Sequence, residues 1–306
     1  MIWKIFSLIF TLIVITLLVF YWFFPFNTIE FYTDFDSNNN FNFSLNNLET
    51  KNMQFYEAMR FPTSEISYRI DKCPLYKKNY IEQGFDIISN VTILKFYPVP
   101  DNEEISATCE ERSKTQGRFF IAGEGGPVEI TKTQNFNVIF HGEVLLIKES
   151  KCKKPNVALH EILHALGFDH SYNPNNIMYN VTKCSRVISE DMINKINYLY
   201  SFPSYSDLSF ENVSANMHGK YLDTNISIRN HGLKDSENAT LKIYADEKFI
   251  KEFELNKIKV GYGTTLYLKN ILILKINVNE LRYSIESNFD ELNKDNNKIK
   301  LEIKNN

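Results

Sequence analysis

Residues 160–170 read His-Glu-Ile-Leu-His-Ala-Leu-Gly-Phe-Asp-His. At ~100° per residue a helix carries His160 and His164 through about 400°, so both leave one face a single turn apart. That spacing lets two imidazoles share one metal ion. Gly167 permits a sharp exit from the helix, and His170 follows as a third ligand from a non-helical position. Three neutral imidazoles leave a fourth tetrahedral position for water, the open coordination of one catalytic Zn2+ rather than a closed structural site. A metal so held lowers the pKa of its water toward ~7 and polarises a carbonyl. Glu161, beside the first ligand, is the candidate general base for that water. The chemistry implied is amide hydrolysis. A chance match to the whole pattern is expected in roughly one per 10⁵ chains of this size.

These residues need a helix ending in a tight turn, and the flanking sequence supplies one. PNVALHEILHALG has Pro155 where a helix starts and Gly167 at the C′ position. A second helix, SEDMINKINYLYS, has Ser189 at its N-cap, Glu190 and Asp191 in its first turn, and Met192, Ile196 and Leu199 as a core stripe. Upstream, Leu75, Tyr80, Ile81, Phe85 and Ile88 recur at helical spacing. EISYRID, VTILKFYPV, RFFIA, NFNVIF and EVLLIK read as strands. GEGGP at 123–127 reads as a turn cluster and lacks phosphate-loop spacing. Beyond FPSYSD the helical period gives way to about seven short strands, an all-β immunoglobulin-like sandwich. Residues 26–59 are polar and Asn-rich, and read as a stalk or short pro-segment.

The N-terminus reads as a membrane helix. Residues 5–24 are almost wholly apolar, enough to cross a ~30 Å hydrocarbon core, with Tyr21 and Trp22 at the far interface. Lys4 is the only charged side chain before Glu30. The expectation is an uncleaved single-pass signal-anchor over 1–25, with a cytoplasmic N-terminus and the remainder extracellular. The alternative is a cleaved signal peptide and secretion, against which the YWFFPF ending lacks small residues. With 34 basic and 37 acidic residues in 306, no cationic excess is available for nucleic acid. Outside the cell, four cysteines admit three disulfide pairings. Cys73 with Cys109 and Cys152 with Cys184 are favoured because each pair is close in sequence; buried thiols are the alternative. Asn-X-Ser/Thr sequons begin at Asn42, Asn90, Asn180, Asn212, Asn225 and Asn238. His141, His218 and His231 read as packed or solvent-facing.

HEILHALGFDHS followed by IMY, with Met178 eight residues after His170, resembles the metzincin metalloproteases. Ser171 after the third histidine and Tyr179 after the methionine make it most similar to the matrixin branch. Asn180 stands where a further metal-associated tyrosine would stand in astacins, so Tyr179 is not read as a ligand. The resemblance spans about 60–202. It implies an α+β catalytic domain with a twisted, mostly parallel sheet, two long helices, a substrate cleft across the zinc, and Met178 as a Met-turn beneath it. No PRCGVPD-type cysteine switch is present. ISIRNHG and ESNFDELNKDNNK resemble CARDB sandwich domains, implying over 207–306 an extracellular module that binds a cell-surface ligand or acts as a spacer.

The first expectation is thus a membrane-anchored extracellular zinc endopeptidase acting on protein or peptide. His160, His164 and His170 would bind the metal, with Glu161 as base, Met178 as support and Gly167 as turn. A second is a surface adhesion or binding protein led by the sandwich, with an inactive zinc domain. A third is a zinc hydrolase of non-peptide amides.

Overall fold

The computed structural model describes residues 2–23, 28–32, 53–111, 114–116, 119–275 and 278–303. Two compact units emerge and are described separately. The chain opens with α1 (Ile2–Phe23) and β1 (Thr28–Tyr32). Among the described residues no helix is long and apolar enough to cross a membrane. The expected transmembrane segment is therefore met as a helix and no further.

The first unit to be considered holds β2 (Met59–Arg60), β3 (Glu65–Asp71), α2 (Leu75–Val91), β4 (Lys95–Pro98), β5 (Ile105–Cys109), β6 (Lys114–Gln116), β7 (Phe119–Ile121), β8 (Gly123–Lys132), β9 (Asn137–Leu146), α3 (Asn156–Ala165) and α4 (Glu190–Ser201). The sheet order is β2-β9-β5-β3-β4, and every neighbour on that path is parallel. β8 adds an antiparallel edge to β9. The mostly parallel sheet is as expected, because α2 crosses between β3 and β4 as a parallel connection requires. NFNVIF and EVLLIK merge into the single strand β9. The helices number 17, 10 and 12 residues, so one is long rather than two.

Buried cations brace this unit, Lys77 and Arg60 among them. Ile81, Phe85 and Ile88 of α2 enter the core as expected, but Leu75 is 74% exposed. Lys77 is buried instead, and its Nζ donates to the carbonyls of Glu110 (2.6 Å) and Ile147 (2.7 Å). Apolar periodicity cannot reveal a lysine whose ammonium ends on carbonyls. Arg60 is 1% exposed and donates to Phe61 O, Pro62 O, Leu199 O and Phe202 O. Its guanidinium also lies 4.6 Å from the Tyr200 ring centroid. Burial pulls its pKa down to about 10, so it stays charged at neutral pH. Cys73 is bonded to Cys109, and Cys152 to Cys184.

The other unit is an antiparallel β domain of β10 (Leu208–His218), β11 (Tyr221–Asn230), β12 (Ala239–Ala245), β13 (Lys248–Leu255), β14 (Gly263–Leu272), β15 (Glu280–Glu286) and β16 (Lys298–Ile303). Alternating burial along β11 and β12 turns one face to the core. Its eighth strand is β1. In the order β13-β12-β15-β16-β1-β10-β11-β14, Thr28–Phe31 pair with His218–Ala215, and Phe31–Tyr32 pair with Ile303–Glu302. Phe31 is buried in the core. This corrects the stalk expected at 26–59. Its start is a strand of the β domain, Met53–Arg60 pack in the other unit, and 33–52 lie outside the described residues.

Asp207 opens the β domain at 1% exposure. Burial raises its carboxyl to about 6, opposed by the Asn296 amide and reinforced by Glu291. An acid raised on folding takes up a proton, so this contribution is present below pH ~4 and is lost by pH ~6, up to about 3 kcal/mol. Asp207→Asn is expected to raise stability at pH 7 and to flatten the fall between pH 4 and 6 in urea titrations. An unaltered slope would count against this.

Candidate metal centre

α3 starts without a cap of its own, because Pro155 offers no side-chain acceptor. Glu149 fills the role from upstream. Its Oε1 accepts from Val157 N and its Oε2 from Ala158 N, both at 2.9 Å. A carboxylate there also complements the positive end of the helix dipole. At the other end Gly167 N donates to His164 O (2.8 Å) and Phe168 N to Leu163 O (3.1 Å). This is a Schellman turn, with Gly167 at φ 93°. A Cβ there would also fall 2.8 Å from Met59 Cβ. The sharp exit that the sequence predicted follows.

The turn brings the three histidines together. Their ligand nitrogens lie within 4.8 Å of one another. Ring centroids are 4.6 Å apart for His160–His164, 5.3 Å for His160–His170 and 4.7 Å for His164–His170. His160 Nδ1 lies 2.8 Å from Ile177 O, and His164 Nδ1 2.7 Å from Phe168 O. A carbonyl only accepts, so each Nδ1 carries the proton and each Nε2 keeps a lone pair. Those lone pairs face each other at 3.0 Å. With no proton between them the arrangement repels, unless a cation sits between the two nitrogens. The separation suits two Zn–N bonds of ~2.0–2.1 Å. Burial holds His160 at about 4 and His164 at about 3, so both are neutral at pH 7. The donor set fits zinc. His160 and His164 are buried while His170 is exposed, leaving one side of the cluster open to solvent.

The surroundings fix these rings. Met178 is fully buried; its N donates to Asn176 Oδ1 and its O accepts from Ser171 N, both at 2.8 Å. The turn is thereby tied to the residue after His170. Ser189 stands at the N-cap of α4 as expected, but its hydroxyl accepts from Asn176 Nδ2 (2.7 Å) rather than from the helix. Phe55 stacks on His164 at 5.6 Å. Phe55 N donates to Gly167 O, and Asp169 N to Met53 O.

Glu161 is 7% exposed, and burial, with Glu124 and Glu149 nearby, raises its carboxyl to about 8. GEGGP proves to be strand rather than turn, since Gly123–Pro127 begin β8. A Cβ on Gly125 would lie 2.3 Å from Glu161 O, and one on Gly123 2.6 Å from Glu161 Cγ. These glycines exist so that the strand can lie against the helix beside Glu161. His141 bonds Glu103 O and Ser106 Oγ, and within the β domain His218 lies 3.9 Å from Asp223. Sequence reading missed Glu149, Asn176, Phe55 and the Ile177 carbonyl. Only the acidic residue ahead of a helix left a local signal, and it lies too far upstream for a standard cap.

A CARDB family model matches residues 206–301. Among solved structures the chain is similar to the CARDB domain of a Pyrococcus furiosus protein, crystallised in complex with di-metal ions. Identity is 12%, coverage 32% of this chain and 87% of that one, and the TM-score 0.28. No curated protein matches. A matrixin (Peptidase_M10) family model matches residues 23–201, more than half of the chain. With its histidine triad, the chain belongs to the matrixin family of zinc metalloendopeptidases.

Proposed function

We propose that this matrixin is an outward-facing, membrane-anchored endopeptidase in which Glu161 is the general base. The observation that carries the reading is the pair of Nε2 lone pairs held face to face by two carbonyl-bound Nδ1 protons. Bound zinc would supply an acidified water and polarise the scissile carbonyl. The chain's own part is to keep His160 and His164 neutral and oriented, to bring His170 beside them, and to hold a carboxyl next to the cluster. Glu161, raised by burial when no cation is near, would be ionised beside a bound cation, and its carboxylate can then take a proton and release it to a leaving amine. Met178 supports the cluster from within the core. β8 pairs with β9 on one edge only among the described strands. Its other edge offers main-chain donors and acceptors to an extended peptide.

The proposed layout is an anchor at 1–25, a catalytic domain over 60–202 and an immunoglobulin-like CARDB sandwich over 207–306 as accessory module. Anchoring is supported by α1, whose described side chains Trp3, Ile5, Phe6, Leu8, Ile9 and Phe10 are all exposed and apolar. The disulfides support an exterior location. The test is metal analysis of detergent-purified full chain coupled to digestion of a quenched peptide library. One zinc per chain and chelator-sensitive cleavage are expected. Zinc without turnover would favour an adhesion protein, and turnover without zinc would end the metal reading. Release of the protein from membranes by alkaline carbonate would reject the anchor.

A further inference from the structure

Cys152 precedes the first metal ligand and Cys184 follows the last, and their bond spans 32 residues of chain. All three histidines, Glu161, Gly167 and Met178 lie inside this one covalent loop. The residues around Cys184 make the contacts that fix the Met178 segment. Lys183 O accepts from Asn156 Nδ2 at 2.8 Å, one helical turn ahead of His160. Arg186, 3% exposed, donates from Nε to Pro174 O at 2.9 Å, and its guanidinium covers the Tyr179 ring at 4.5 Å. Val187 O accepts from Ile177 N at 2.8 Å. The next carbonyl along, Ile177 O, is the one that holds His160 Nδ1. A continuous path therefore runs from the disulfide through 183–187 to the ring orientation of the first ligand.

We infer that the Cys152–Cys184 disulfide and Arg186 are positioning elements of the metal site: they hold the acceptor that aims His160. This rests on the proposed zinc-enzyme reading. Cutting the bond frees residues 183–187 from the start of α3. The Ile177 carbonyl then loses its fixed place, and His160 must be ordered by the metal itself. Outer partners of metal-binding histidines commonly account for 10- to 100-fold in affinity.

The protein contains its own control. Cys73–Cys109 spans 36 residues and joins the start of α2 to the end of β5, with no metal-site residue between them. Loop-closure entropy varies only as the logarithm of loop length, so the two bonds constrain the unfolded chain almost equally. A general loss of stability should affect both variants alike, whereas a positioning role should separate them.

The experiment measures the zinc dissociation constant of the full chain by competition with a chromophoric chelator. The Cys152→Ser/Cys184→Ser variant should bind zinc about 10- to 100-fold more weakly, while Cys73→Ser/Cys109→Ser should match the parent. Should the first variant fail to fold, Arg186→Leu keeps the disulfide and loosens the same segment, and about a 10-fold weakening is expected. Equal zinc affinity in parent and variant, or equal weakening in both disulfide variants, would overturn the inference. A parent chain that binds no zinc would instead reject the metal reading.

Discussion

Glu161→Gln should lower kcat/KM for peptide cleavage by at least ~100-fold while leaving one zinc per chain. Glutamine keeps the length and volume of glutamate, so it fits the space bounded by Gly123 and Gly125. It cannot take up a proton at neutral pH. The His160 and His164 rings take their orientation from Ile177 O and Phe168 O, and the residue after His170 is tied to Met178 O, none of which involves the Glu161 side chain. Metal content should therefore be unaffected, and the loss should appear in kcat more than in KM. Parallel metal analysis and steady-state kinetics on a quenched peptide would check it. Full activity in the glutamine variant would remove Glu161 from the mechanism.

The second large effect concerns stability. Arg60→Met should cost about 3 kcal/mol or more in urea unfolding, with activity lost only as the folded fraction falls. Replacing a buried charge by an apolar side chain is often close to neutral, because the desolvation cost disappears with the charge. That compensation fails here. Among the described residues Arg60 bonds no carboxylate; it satisfies four carbonyls, two of them Leu199 and Phe202 at the end of α4. Methionine leaves these acceptors buried and unpaired, at ~1–3 kcal/mol each, and removes the contact over Tyr200. Arg60→Lys should recover part of the loss, since one ammonium can reach some but not all of the four acceptors. A methionine variant as stable as the parent would show that water replaces the guanidinium.

Local features were legible in the sequence and distant ones were not. The histidines, Gly167 and the helix that carries the first two lie within fifteen consecutive residues, so spacing alone gave the cluster and the turn. The parallel sheet came from the resemblance to matrixins, with which the strand and helix order agrees. The Asn176 side-chain amide and the Ile177 carbonyl lie eleven and twelve residues beyond the end of α3, where local spacing carries little information. GEGGP misled because glycine is read as a turn former. Here it marks a close approach to Glu161, which only the neighbouring helix explains. Lys77 went unread for the opposite reason, as a charge that ends on two carbonyls. TIEFY was passed over as stalk, because a five-residue strand bounded by polar sequence reveals nothing of partners far along the chain.

That strand sets a timetable for synthesis. Thr28 pairs with His218, so β1 is made about 190 residues before its neighbour in β10. At roughly 5–20 residues per second, it waits some 10 to 40 s. In that interval the metal-binding unit emerges complete and can fold, while the β domain must close last, around a segment delivered first. Shortened forms that begin after Tyr32 would leave that sheet with a missing rung, and the flanks of β10 and β16 would be bare to any passing extended chain.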